Sequence, residues 1–296
     1  PTEVHFRLPD KFRKKQRTEW SDPNRLGQEV DSFLEGPSFD RAGNLYFVDI
    51  PFGRVFRLSP ERNCDLVAQY DGWPNGLAIH KDGRIFIADY KHGIMVLDPK
   101  TGKVEPWLTH CFSESFKGVN DLTFALNGDL YFTDQGQTGS HDPTGRVYRV
   151  STDGRIDCLI NNGNSPNGIV LDPKDKVLFV AMTRANCMWH APLKPGGGVA
   201  KVGVFALLPG MHGPDGLAMD EAGNLLVAHP RVRIIWLFDQ IGAPILQIQG
   251  KSNSSRMTNM AYGGADRKTL YIVDSYSGEV LTAKMPVAGK VLYSHS

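Results

Sequence analysis

A six-bladed β-propeller with four antiparallel strands per blade is the architecture this sequence predicts, and three observations predict it. One pattern, a polar residue that opens an apolar run, a turn, and a second β-branched or aromatic run, occurs six times. The six copies stand at the period of radially repeated sheets. Each copy is followed by a further pair of apolar runs, so that every unit holds material for four strands.

The copies are LEGPSFDRAGNLYFVD from Leu34, PNGLAIHKDGRIFIAD from Pro74, VNDLTFALNGDLYFTD from Val119, PNGIVLDPKDKVLFVA from Pro166, PDGLAMDEAGNLLVAH from Pro214 and TNMAYGGADRKTLYIVD from Thr258. Aligned on the opening polar residue they give Glu35, Asn75, Asn120, Asn167, Asp215 and Asn259, spaced by 40, 45, 47, 48 and 44 residues. Turn pairs such as Gly43-Asn44, Asp82-Gly83 and Asn127-Gly128 suit tight hairpins between the two runs of each copy. The second strand pairs follow as GRVFRLSPERNCDLVAQY, GIMVLDPKTGKVEPWL, GRVYRVSTDGRIDCLI and, after the sixth hairpin, GEVLTAKMPVAGKVLY, which is read as two strands. The 296 residues are read as one domain, with residues 1–30 completing the last blade through HFRL or EVDSFL, since a free sheet edge invites aggregation.

Chain order fixes the rim. The opening residue starts the innermost strand, the hairpin turn lies at the opposite face, and the second strand returns to the starting side. Asp49, Asp89-Tyr90, Asp134-Gln135, Thr183-Arg184, His229 and Asp274-Ser275-Tyr276 therefore share a rim with the opening residues. Gly follows the opening residue at 36, 76, 168 and 216, which permits close backbone approach at the crowded axis. Pro precedes it at 74, 166 and 214 and restricts the entering backbone.

Composition narrows the function. With 33 basic and 32 acidic residues the net charge is +1, so no overall field draws the chain to nucleic acid or to an anionic membrane. The basic run Lys11, Arg13, Lys14, Lys15 and Arg17 carries few aromatics and is read as a solvated segment. Cys64, Cys111, Cys158 and Cys187 have neither metal-ligand nor disulfide-framework spacing and are read as free thiols. With no apolar leader and no long apolar run, a cytoplasmic protein acting on a small molecule is expected, its oligomeric state open. GxSxG, HExxH, GxxxxGK[ST] and GxGxxG motifs are absent, which removes the main support for serine-hydrolase, zincin, nucleotidase and dinucleotide readings.

What remains is the ring. Glu35, Asn120, Asn167 and Asp215 offer two carboxylates and two amide oxygens, a hard donor set that suits Ca²⁺ best and admits Mg²⁺, Mn²⁺ or Zn²⁺. The competing reading is a wet channel whose polar residues only bind water. Two carboxylates aimed at one axis repel unless a cation or a proton intervenes, which favours the metal.

LEGPSFD, GVNDLTF, SPNGIVLD and GPDGLAMD, with TNMAYGG, arrive in order at blade spacing. In these motifs the chain resembles the senescence-marker-protein/gluconolactonase family of six-bladed propellers, over roughly residues 30–285. The resemblance implies one divalent cation on Glu35, Asn120, Asn167 and Asp215, and hydrolysis of a lactone by water activated at that cation. Asp215 is the expected general base, and Asn75, Asn259, His212, Tyr90, Asp134, Gln135 and Tyr276 the expected substrate contacts. Sugar-lactone members carry an arginine two residues before the third-blade asparagine, where this chain has Gly118, a departure from the gluconolactone pattern that leaves a less hydroxylated or an aromatic lactone as an equal alternative. The alternatives are a phosphotriesterase-type hydrolase on the same scaffold and a non-enzymatic interaction propeller, the latter because LYFVD and LYIVDSYSGEV echo blades of receptor ectodomains.

Overall fold

The computed structural model describes residues 2–296. Six four-stranded antiparallel sheets follow one another around a ring. From the axis outward, blade 1 comprises Leu34–Phe39, Leu45–Asp49, Arg54–Leu58 and Cys64–Gln69. Blade 3 comprises Val119–Phe124, Leu130–Asp134, Gly145–Val150 and Ile156–Gly163. The innermost strands of blades 2, 4, 5 and 6 are Pro74–Ile79, Pro166–Leu171, Leu217–Met219 and Met257–Gly263. Each innermost strand contacts those of its two neighbours.

Apolar alternation places the core between blades. Val48 and Val55 of blade 1 pack on Leu77 and Ile87 of blade 2, and Leu226 and Ile235 of blade 5 on Met260 and Ile272 of blade 6. Each fully buried side chain of this size contributes about 1.5–3 kcal/mol. The outer strands are exposed along one side, as Lys103–Leu108 and Pro244–Gln249 show, which matches their polar content. Among the described residues no helix is long and apolar enough to cross a membrane, and all four cysteines are free.

The ring closes through the amino terminus. Glu3–Arg7 pairs with Glu279–Lys284 as the outer strand of blade 6, with Glu3 opposite Thr282 and Arg7 opposite Glu279. HFRL is thus the closing strand, whereas Val30 and Phe33 of EVDSFL lead into blade 1. The expectation of two strands in GEVLTAKMPVAGKVLY is half right. Only Glu279–Lys284 forms, because the amino-terminal strand already holds the outer place. The remainder crosses the ring on the side away from the opening residues: Lys290 Nζ donates to Leu171 O at 3.0 Å, and Tyr293 packs on His80 and Phe124.

In five blades the pairing of the first two strands slips beside the opening residue, between Glu35 and Ser38, Pro74 and Leu77, Val119 and Leu122, Pro166 and Ile169, and Met257 and Asn259. A β-bulge re-aims one side chain without ending the strand. Here the bulges fall on the residues that face the axis.

Candidate functional site

A cavity of about 360 Å³ opens where the innermost strands begin. Glu35, Asn75, Asn120, Asn167 and Asp215 line it, from five consecutive blades. Tyr90, Gln135, His212 and Tyr276 line it as well. Asn259 and Asp134, the other two expected substrate contacts, do not.

The register explains Asn259. Leu34 lies opposite Asp49 and Met257 opposite Asp274, so Thr258, not Asn259, is the counterpart of Glu35. Thr258 lines the cavity, and the repeat pattern aligns the sixth copy one residue too late. Asn259 stands where four other blades have Gly36, Gly76, Gly168 and Gly216, and blade 3 has Asp121 at the same place. A methyl group on Gly216 would overlap the Asn259 side chain, and one on Gly76 would overlap Asp121. The small residues therefore make room for the two polar ones, which turn away from the mouth. Asp121 accepts from Leu122 N at 2.8 Å and from Ile169 N at 3.3 Å, bridging blades 3 and 4. Asn259 donates from Nδ2 to Glu35 Oε2 at 3.1 Å.

Asp134 is withdrawn from the wall because its carboxylate is consumed. Oδ1 accepts from Lys117 N at 2.7 Å and Gly118 N at 2.9 Å, and Oδ2 pairs with Arg146 at 3.1 Å. Asp49 holds Phe33 N and Arg54, Asp89 holds Lys91 N and His92 N, and Asp274 holds Arg256 N in the same way. In blades 1, 3 and 6 the acid ties the segment that enters the blade, whereas Asp89 caps its own following turn and reaches the entering segment only through Tyr70 Oη at 2.8 Å. His229 is fully buried and takes Trp236 Nε1 at 3.4 Å, so it too is structural.

The donor set is held from outside. Glu35 is 3% exposed; its Oε2 accepts from Gly36 N at 3.0 Å as well as from Asn259. Asn120 Nδ2 donates to Gln135 Oε1 at 2.9 Å, and Gln135 Nε2 to Ser165 Oγ at 3.0 Å. With its nitrogen tied, the Asn120 amide has its oxygen left for a ligand. The Asn167 side chain lies beside the Asp215 carboxyl and favours its ionised form. Burial pushes the Glu35 carboxyl up, and burial followed by repulsion from Glu35 pushes Asp215 well above the usual carboxylate range. Among the described residues no basic side chain forms an ion pair with either. No three His, Cys, Asp or Glu side chains cluster at metal-binding distance among the described residues, as a set of two carboxylates and two amides requires. Two mutually repelling carboxylates, one buried and one half-buried, beside two amides fit a hard divalent cation on charge and on donor type.

Several mouth residues come from places the repeat pattern does not reach. Trp20, Asn24, Arg25 and Phe33 come from the segment before blade 1, with Trp20 packed on Phe33 at 4.8 Å. That segment carries the expected solvated run, exposed at Lys11, Lys14, Lys15 and Arg17 and half-buried only at Arg13, which pairs with Asp31. Arg231 and Arg256 also reach the cavity, from the start of a loop and the end of another. No periodic signal marks any of them. On the other wall Gly118, at φ +152°, lies against the Tyr90 ring, which occupies the space a side chain at 118 would need. His212, at φ +73°, is kept at the rim because the next residue, Gly213, presses on Thr183 O, where any Cβ would overlap.

A propeller whose axis gathers two carboxylates and two amides at one mouth is a class of ligand-binding ring. This chain belongs to the SMP-30/gluconolactonase/LRE-like family, whose model matches residues 33–276. It is 33% identical over 227 residues to lactonase drp35 of Staphylococcus aureus strain MW2, covering 73% of this chain and 69% of that one. The lactonase drp35 of Staphylococcus epidermidis is 32% identical over 228 residues with the same coverage. Among solved structures, a gluconolactonase from Xanthomonas campestris superposes with a TM-score of 0.75 at 21% identity, covering 86% of each chain. Regucalcin from Agrobacterium tumefaciens, described as a calcium-binding protein, gives 0.74 at 20% identity, covering 89% of this chain and 94% of that one. At these identities the two structures bear on the fold alone.

Proposed function

We propose that the protein is a divalent-metal-dependent lactonase that holds one cation, Ca²⁺ by preference, on Glu35, Asn120, Asn167 and Asp215 and opens a cyclic ester by attack of water. The observation that carries this reading is the pair of carboxylates, Glu35 buried and Asp215 half-buried, without a basic partner and completed by two amides, of which Asn120 has its nitrogen already tied. The lactonase relatives, at about one-third identity over most of this chain, support the substrate class.

A cation held there supplies a Lewis acid for the lactone carbonyl and lowers the pKa of nearby water. The chain's own residues do the rest. Asn259 and Gly36 N fix Glu35, and Gln135 fixes Asn120, so the donors are set before substrate arrives. Asp215, a ligand with a second carboxyl oxygen, takes a proton from the attacking water as the oxygen bonds the carbonyl carbon. The ring C–O bond then breaks, its electron pair stays on the ring oxygen, and the proton returns there to leave a hydroxy acid. Trp20 and Phe33 narrow the mouth, and Tyr90 and Tyr276 line its wall.

The test is to strip the protein with chelator and assay a panel of γ- and δ-lactones, then add back Ca²⁺, Mn²⁺, Mg²⁺ or Zn²⁺ singly. Hydrolysis that disappears with chelator and returns with at least one metal is expected. Uniform inactivity, or turnover indifferent to metal, overturns the proposal.

A further inference from the structure

The mouth holds an excess of positive charge that the ring-opening chemistry does not use. Arg25, Arg184, Arg231 and Arg256 line it, and its only acids among the described residues are Glu35 and Asp215. Ten of the chain's seventeen arginines are in ion pairs among the described residues, and none of these four is one of them. They are not consumed by the two acids, since none comes within 4.0 Å of either carboxylate.

Two of the four are held in place. The Arg25 and Arg256 guanidiniums both lie over the Tyr276 ring, at 4.1 and 5.3 Å from its centre. Arg256 Nη1 donates to Ser255 O at 2.7 Å and Asn253 O at 3.2 Å, while its Nε is buried without a partner. Arg184 and Arg231 line the same cavity as His212, whose protonation is depressed by burial and then by their charges. Once a divalent cation offsets Glu35 and Asp215, four guanidiniums remain without counter-charge around one small opening. Like charges are gathered at a cost unless a ligand of opposite sign completes them, and guanidinium forks match carboxylate geometry two bonds at a time.

We infer that the substrate carries a carboxylate outside the ester ring, received by the mouth arginines while the ring faces the four donors beneath. This rests on the ring-opening reading of the same site and names its substrate class: an anionic lactone rather than a neutral sugar lactone. The field of the mouth also draws such a substrate in, so the advantage weakens with salt.

The experiment compares γ-butyrolactone bearing a ring carboxylate with its methyl ester, on the metal-loaded protein. The acid is expected to exceed the ester in kcat/KM by about tenfold or more at low ionic strength, an order set by charge-assisted pairing. That preference should shrink at high salt, and fall at least about fivefold in Arg184→Gln and in Arg256→Gln, whose melting temperatures report whether the variants fold. Equal turnover, preference for the ester, or a preference untouched by both substitutions overturns the inference. Calorimetry of the same two compounds separates this failure from that of the lactonase reading. Binding of the acid but not the ester, without hydrolysis of either, upholds anion recognition and removes ring opening; equal binding, or none, overturns the anionic substrate.

Discussion

Asp215→Asn is the perturbation that most directly interrogates the paired carboxylates. In the metal-free protein Glu35 is buried and Asp215 half-buried, desolvation raises both carboxyls, and Asp215 is raised further by Glu35. A carboxyl whose folded pKa lies above its unfolded value contributes stability that is full below the unfolded value and is lost as pH rises through the folded one. Each unit of such a shift corresponds to about 1.4 kcal/mol. Chelated wild-type protein should therefore melt lower at pH 8 than at pH 5, and the amide variant should escape part of that loss. Metal acts the other way: at a hundredfold excess over Kd it stabilises by about 2.7 kcal/mol, or roughly 4–5 °C in melting temperature for a chain of this size. Thermal denaturation of both proteins at the two pH values, with chelator or Ca²⁺, reads all of this. A large Ca²⁺ shift in wild type and one of about 1–2 °C at most in the variant is expected. An equal Ca²⁺ response in both, or a chelated wild type that gains stability towards pH 8 relative to the variant, refutes the reasoning.

Two further outcomes follow from the packing. Gly36→Ala meets both a left-handed backbone, at φ +58°, and the Asn75 carbonyl oxygen, so it should cost about 3 kcal/mol or more, against about 1 for Gly83→Ala, where φ is +93° and the space is open; melting curves that show equal losses would contradict the close approach of blades 1 and 2. Asp134→Asn should lower stability by about 1–3 kcal/mol, through Lys117 N, Gly118 N and Arg146, and leave KM for lactones unchanged; a raised KM at unchanged stability would return Asp134 to the substrate.

The donors are legible in the chain because a propeller repeats. Glu35, Asn120, Asn167 and Asp215 are equivalent positions, and equivalence in the chain becomes proximity at the axis. The same logic misplaces Asn259 by one residue, since the turn of the sixth copy, between Tyr262 and Leu270, is two residues longer than that between Phe39 and Leu45, and only the pairing of Met257 with Asp274 shows where Asn259 lies. Asp134 is misjudged for a related reason: strand order brings it to the rim, but whether a rim acid faces the cavity or the backbone depends on which amides lie beside it. Trp20 and Arg25 are beyond reach, because they belong to no repeat. Their position over the mouth is set by contacts remote in sequence, Arg13 with Asp31 and Arg25 with Tyr276.

The ring also explains how donors from four sheets keep one geometry. Thr133 Oγ1 donates to Asn167 O at 2.8 Å, Thr183 Oγ1 to Pro214 O at 2.7 Å and Thr258 Oγ1 to Leu34 O at 3.4 Å. In each case a hydroxyl of one blade fixes the strand entry of the next, beside or at Asn167, Asp215 and Glu35. A donor is thus located by its neighbour's sheet as much as by its own. The consequence is sharpest at the seam, where Glu35 depends on both Thr258 and Asn259 of blade 6. Blade 6 in turn is completed only by Glu3–Arg7. The strand that closes the ring therefore reaches the site through two hydrogen bonds, although it contributes no residue to it.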